Sequence, residues 1–250
     1  MKTIEIITHC YAEEFPAFAS LLTAQLSSLV LWPPNCPVQV SVCGAGSDQL
    51  TMYVVAAFGR RMLRDKRQNV RLQFREFSKP ELFRRGFGRN KLFKETRADI
   101  VWAADADYVF GPDCLDTLAR TEIKHNLVYP QDYWIHRGHG LGDREISLII
   151  PGEVFIPDLS LFQACHVGFA IGGLQIVPGD EARKGYLDGS RWSAAEPNAT
   201  RFQDTKEDKK YRTAAGGSQP INLPNLYRMR HSCSAFQTAE ERLRQTAGKA

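Results

Sequence analysis

Ile100-Val101-Trp102-Ala103-Ala104-Asp105-Ala106-Asp107 decides the fold: five apolar residues run without a break into two carboxylates. A short continuous apolar run of this kind suits a strand buried on both faces of a parallel sheet. Two acids at its end repel each other and lose solvation, and a cation relieves both problems. A hard divalent metal sharing its shell with diphosphate oxygens is one such cation. The plainer alternative is an acidic turn in which Asp107 caps a helix or faces water.

Working outward, Ile4 to Thr8 is a β-branched run that predicts a first buried strand. Phe15, Phe18, Ala19, Leu22, Leu26 and Leu29 then repeat as one helix face, with Glu13 and Glu14 near its start. Trp32-Pro33-Pro34-Asn35-Cys36-Pro37 stops that helix, and Val38 to Cys43 predicts a second strand. Gly44 to Asp48 is a loop in which Asp48 can cap the helix carrying Leu50, Val54, Phe58 and Met62. Val70 to Phe77 predicts a third strand, and Phe83 to Thr96 a basic loop entering a helix. The fold class is therefore α/β, a mostly parallel central sheet flanked by helices. Ligands of such sheets bind beyond the carboxyl ends of the strands, where His9, Asp48 and Asp105 fall.

Beyond residue 130 the periodicity loosens. Residues 131–145 and 178–220 predict long loops, Ile221 to Met229 a late strand, and Ala239 to Gln245 a short helix. We expect one domain over 1–250, with a ligand-binding half (1–110) and a catalytic and acceptor half (111–250).

Composition narrows the function classes. The 250 residues hold 32 Lys and Arg against 28 Asp and Glu, a net charge of +4, with 43% hydrophobic residues. That excludes a disordered chain, and so small a surplus does not by itself argue for nucleic acid. No run approaches the roughly 20 apolar residues of a membrane span, and the first residues lack a signal-peptide core. Six scattered cysteines without a Cys-x-x-Cys pair predict free thiols and a cytoplasmic protein.

Several segments, in order, resemble the GT-A-fold glycosyltransferases, particularly glycosyltransferase family 2. Ile6 to Glu14 resembles the opening strand and Tyr-Asn-Glu-Glu-type turn of that family, with Ala12 in place of Asn. Gly46-Ser47-Asp48 resembles the end of its Asp-Asp-Gly-Ser segment, and Gly86-Phe87-Gly88-Arg89-Asn90 its Gly-x-x-x-Arg-Asn run. Asp105-Ala106-Asp107 is similar to its Asp-x-Asp, Tyr186-Leu187-Asp188 to its Gly-Phe-Asp corner, and Glu207-Asp208 with Arg212 to its catalytic acidic pair. The resemblance implies a metal-dependent hexosyl- or pentosyltransferase that moves a sugar from a nucleoside-diphosphate sugar, a UDP-sugar foremost, to a hydroxyl. The acceptor class is open, modified nucleic acid included.

The resemblance also implies roles. Thr8, Tyr11, Glu13 and Asp48 would lie near the nucleoside, and Arg89, Asn90 and Lys91 near the phosphates. Asp107, Asp105 and a late-segment His231 would hold Mn²⁺ or Mg²⁺, Asp105 through a water or by binding the donor's ribose, with Mn²⁺ the better match for an imidazole. Gly172 and Gly173 would admit the sugar, with Phe169 or Trp192 stacking on it. Asp208, then Glu207, would serve as the base of an inverting displacement, with Asp204 a further choice. His136 and His139 would be structural or touch the acceptor. Gly44-Ala45 replaces the first acidic pair of the base-reading loop, which leaves the nucleobase unassigned. A nucleotidyltransferase and a non-catalytic nucleotide-sugar or carbohydrate-binding module are the alternatives. The former needs a glycine-rich basic loop where His9 to Glu14 is acidic and has no glycine.

Overall fold

The computed structural model describes residues 1–65, 69–186 and 205–231, with the side chains of His139 and of residues 205–208 outside the description. The strands are β1 (Ile4–His9), β2 (Val38–Ala45), β3 (Val70–Phe77), β4 (Ile100–Ala103), β5 (Tyr108–Phe110), β6 (Val128–Pro130), β7 (Asp132–His136), β8 (Phe162–His166), β9 (Gln175–Pro178), β10 (Gln219–Ile221) and β11 (Leu226–Arg228). The helices are α1 (Ala17–Leu31), α2 (Gln49–Arg64), α3 (Lys79–Phe83), α4 (Arg85–Glu95), α5 (Cys114–Arg120), α6 (His139–Ser147), α7 (Gly179–Ala182) and α8 (Thr205–Ala214).

Seven strands form the main sheet in the order β10-β6-β9-β4-β1-β2-β3. β3, β2, β1 and β4 are mutually parallel, and β9 runs against both β4 and β6. Every residue of β1 and β4 is buried, as their unbroken apolar runs require of central strands. A second sheet, β5-β11-β7-β8, stands where β4 ends. One continuous core joins Ile4, Leu22, Val40, Phe58, Trp102, Phe110, Ile176 and Leu226.

The first hundred residues follow the expected elements, and later segments depart from expectation. The basic stretch is helical almost from its start, because α4 begins at Arg85. Residues 131–145 hold β7 and α6 in place of a loop. The single late strand is two, β10 in the main sheet and β11 in the second, separated by a turn with Asn225 at φ 53°. Pro224 cannot donate to a ladder, which favours the break. Glu13 and Glu14 lie near the start of α1, as expected, just before its Pro16 cap and outside its first turn. Ala239 to Gln245 falls outside the described residues.

Asp48 ties the carboxyl end of the sheet together. Its side chain caps α2 through the Thr51 amide at 3.0 Å, accepts from the Thr51 hydroxyl at 2.5 Å, and accepts from the Ala12 amide at 2.6 Å. Asp48→Ala removes the cap and leaves two buried amides unpaired, so unfolding free energy should drop by about 2–4 kcal/mol. Chemical denaturation checks this, with Asp48→Asn expected to lose less.

Candidate functional site

β4 ends at Ala103, and the chain turns through Asp105, Ala106 and Asp107 before entering β5. Gly173 backs this turn: a Cβ there would lie 2.6 Å from the Asp105 amide nitrogen and 2.8 Å from its Cγ. Only a residue without a side chain lets the segment before β9 approach so closely. The Trp102 indole fixes that approach by donating to the Gly173 carbonyl at 2.9 Å.

The two aspartates face different partners. Asp105 accepts from Arg85 at 2.7 Å and from Arg89 at 3.4 Å, cations four residues apart on one face of α4. Burial works to raise its pKa, but Arg85 and Arg89, helped by Arg228 and His231, hold the carboxyl below the usual carboxylate range. Asp107 is 4% exposed and accepts from Arg228 Nε at 2.8 Å through Oδ2. His231 Nε2 stands 3.9 Å from the same oxygen. Asp107 in turn raises the pKa of Arg228, against the opposing effect of burial. The other oxygen, Asp107 Oδ1, is buried and has no hydrogen-bond partner among the described residues. Asp107, Arg228, Arg230, His231, Gln163 and Cys165 line a cavity of about 380 Å³ at this strand end.

A larger cavity, about 520 Å³, lies at the opposite ends of β1 to β3 beside Glu5, Gln39, Arg71 and Arg97. Size alone would favour it. We place the site at the smaller one, because loops gather at the carboxyl ends of parallel strands and the Asp-x-Asp turn opens there.

The remaining expected residues divide by geometry. Thr8 and Asp48 are fully buried, and the carboxylate of Asp48 is engaged by Ala12 and Thr51. Both shape the strand end from within, at the end of the sheet where they were expected to lie near a nucleoside. Tyr11 packs edge-on against Phe83 and donates to Glu13 at 3.1 Å, and Ser47 donates to the same exposed Glu13 at 3.0 Å. Asn90 accepts from the Tyr186 amide and so holds the corner after α7. Lys91 lies over the Phe77 ring, away from the face of α4 that bears Arg85 and Arg89. Asp105 does not join Asp107 and His231 in a three-donor cluster, and no cluster of three or more His, Cys, Asp or Glu occurs among the described residues. Asp105, expected among the metal ligands, here accepts from Arg85 and Arg89. Gly172 precedes the backing glycine on the same turn. Glu207 and Asp208 belong to α8, but their side chains lie outside the described residues, as do Leu187, Asp188, Trp192 and Asp204.

Arg228 and His9 went unassigned in the sequence. Arg228 and Arg230 alternate in a strand-like segment, a pattern that places both on one face. His9 ends β1 beneath α4, where a Cβ at Gly88 would come within 2.5 Å of its Nε2. Burial, then Arg89 and Arg85, push its pKa well below the ordinary 6.5.

No protein-family model matches the chain, and no curated protein sequence does. Among solved structures it is similar to S. aureus TarS 1–349, with a TM-score of 0.51 and 14% identity over 92% of this chain and 60% of that one. The galactosyltransferase LgtC, solved with donor and acceptor sugar analogues, gives a TM-score of 0.48 and 15% identity over 98% of this chain and 95% of that one. GlyE, a glycosyltransferase of Streptococcus pneumoniae TIGR4, gives 0.45 and 11% over 88% and 45%. This chain thus spans 60% of the length of the TarS structure. What is shared is the fold, α/β and GT-A-like, with a mixed but mostly parallel sheet flanked by helices.

A depressed pKa at His9 has a definite sign. Below 6.5 the unfolded chain binds the His9 proton and the native state does not, so this residue makes stability fall as the pH drops. The His9 ring resonances should stay in their neutral positions between about pH 7.5 and about pH 5.5, followed by NMR.

Proposed function

We propose that the chain is a metal-dependent glycosyltransferase, moving a sugar from a nucleoside-diphosphate sugar to a hydroxyl acceptor. The observation that carries this reading is Asp107, on a cavity wall at the end of a central strand: its Oδ1 is buried without a hydrogen-bond partner among the described residues, and its Oδ2 lies 3.9 Å from His231 Nε2. A buried acceptor is costly unless something donates to it or binds it. Two donors on one divalent ion, each about 2.1 Å away, stand no more than about 4.2 Å apart. The 3.9 Å between His231 Nε2 and Asp107 Oδ2, the oxygen that also accepts from Arg228, meets that limit.

Asp107 and His231 would hold Mn²⁺ or Mg²⁺, Mn²⁺ being the better match for the imidazole nitrogen. When bound, the ion would supply Lewis-acid stabilisation of the departing nucleoside diphosphate. The chain's own residues do the rest. Arg85 and Arg89 keep Asp105 ionised, so its charge is fixed before any donor arrives. Arg228 and Arg230, on the cavity wall, are placed to meet phosphate oxygens. Glu13 and Ser47 would form the rim near the nucleoside, and Gly172 would let backbone lie close to the sugar, the space at Gly173 being taken by Asp105 and Tyr108.

The base of an inverting, direct displacement would be Asp208, with Glu207 second and Asp204 third. It would take the acceptor hydroxyl proton as the oxygen attacks the anomeric carbon, with the diphosphate leaving from the opposite face. The family-2 likeness of the sequence, a UDP-sugar as first donor, a cytoplasmic setting and a single domain with donor and acceptor halves complete the reading. No described helix is long and apolar enough to cross a membrane, and the five described cysteines are free thiols.

A panel of nucleoside-diphosphate sugars with Mn²⁺, scored by thermal shift and by hydrolysis, tests it. One donor should raise the melting temperature in the presence of Mn²⁺ and be cleaved slowly; no response from any donor overturns the reading. Asp107→Asn should abolish the Mn²⁺-dependent part of that shift. Asp208→Asn should keep donor binding and lower transfer by about 10²–10⁴-fold, the usual contribution of a general base. Unchanged transfer would move the base elsewhere.

A further inference from the structure

The segment Met229-Arg230-His231 follows β11 and leads to the candidate site. It is anchored on one side by Asp107, whose backbone carbonyl accepts from the Met229 amide at 2.8 Å. On its other side stand three residues that the proposed chemistry does not use. His136, at the end of β7, is fully buried, and its Nδ1 accepts from the Arg230 amide at 3.1 Å. An acceptor at Nδ1 puts the imidazole proton on Nε2, where it is directed at the Glu145 carboxylate. Glu145 is itself buried and held, because its second oxygen accepts from the Asp158 amide at 2.9 Å. The His136 ring stacks on Phe162 with centroids 4.0 Å apart, which fixes its plane. Gly142, three residues before Glu145 on α6, lies against the next peptide, Arg230–His231: a Cβ there would come within 1.6 Å of the Arg230 carbonyl oxygen.

We propose that His136, Glu145 and Gly142 are positioning residues that clamp the two peptides flanking Arg230 and thereby hold His231 and Arg230 at the Asp107 cavity. Glu145 sets the tautomer and plane of His136, and His136 sets the height of the Arg230 amide. Gly142 gives the carbonyl room on the other side. The chain has no helix or strand at 229–231 to do this, since β11 ends at Arg228. A backbone segment outside a ladder must have its polar groups satisfied elsewhere, and here a buried side-chain pair does so. The role in ion holding rests on the reading of Asp107 and His231 given above; the clamp itself does not.

Two substitutions separate the imidazole's functions. Asn at 136 keeps an acceptor near the position of Nδ1, whereas Gln keeps a group facing Glu145 and lacks that acceptor. In His136→Gln the Arg230 amide should lose at least about tenfold of its hydrogen-exchange protection, while the amides of β1 and β4 keep theirs. In His136→Asn the protection should largely return. With Mn²⁺ alone as the probe, followed by its EPR signal, His136→Gln should bind about 10–100-fold more weakly than wild type. His136→Asn should lie near wild type. Should His136→Gln not fold, Gly142→Ala presses on the adjoining peptide through the Arg230 carbonyl and should show the same two losses. A wild-type protein that fails to bind Mn²⁺ defeats the metal reading, and the exchange measurement still decides the clamp. Wild-type exchange at Arg230 in folded His136→Gln or Gly142→Ala overturns the clamp. Equal Mn²⁺ affinity in wild type and both variants overturns its role in ion holding.

Discussion

Asp105 and Asp107 stand two residues apart where a buried strand ends, so two negative charges must be matched within one turn of chain. The matching groups come from distant segments: Arg85 and Arg89 from α4, Arg228 from β11. Removing one partner of a buried pair leaves an uncompensated charge, at a cost of about 3–5 kcal/mol. The position of α4 over β1 and the register of β11 against β5 are both tied to this demand. Gly88 over His9 and Gly173 behind Asp105 are the two close approaches that let the cationic helix and the backing turn come near enough.

The compensation is unequal, and that inequality creates the site. Asp105 has two guanidiniums and is held ionised by them. Among the described residues Asp107 has one, on a single oxygen, with the second oxygen buried and unpartnered. Arg89 is fully buried and its guanidinium lies 5.7 Å from the Tyr186 ring, so its charge is fixed in place and little screened. His9 beneath it stays neutral because a third positive charge there would be repelled as well as desolvated. Asp107, an imidazole and two arginines on one cavity wall are the ground on which a divalent cation with an anionic ligand is proposed.

The parallel half of the fold was legible because its signals are local. β1 and β4 are apolar without interruption, and Asp48 sits at its cap position with Thr51 three residues on. The later half was harder to read because its elements depend on contacts made at long range. β7 and α6 lie in a stretch rich in glycine and charge, yet α6 forms because Gly142 and Glu145 pack on the Arg230 peptide and on His136. The late strand divides between two sheets at Pro224 and Asn225, a break that an apolar pattern spanning Ile221 to Met229 does not reveal.

The sequence by itself determined the α/β class, the strand that ends in Asp105-Ala106-Asp107, and the order of segments that resembles a sugar-nucleotide enzyme. Apolar periodicity and local capping suffice for these, since each depends on neighbours only a few residues away. Only the tertiary structure decided that Asp105 belongs to Arg85 and Arg89 and that Asp48 is an internal fastener. It also decided that Asp107, with Arg228 and His231, faces the cavity. Those assignments depend on which charges meet across the fold, and 121 residues of chain separate Asp107 from Arg228.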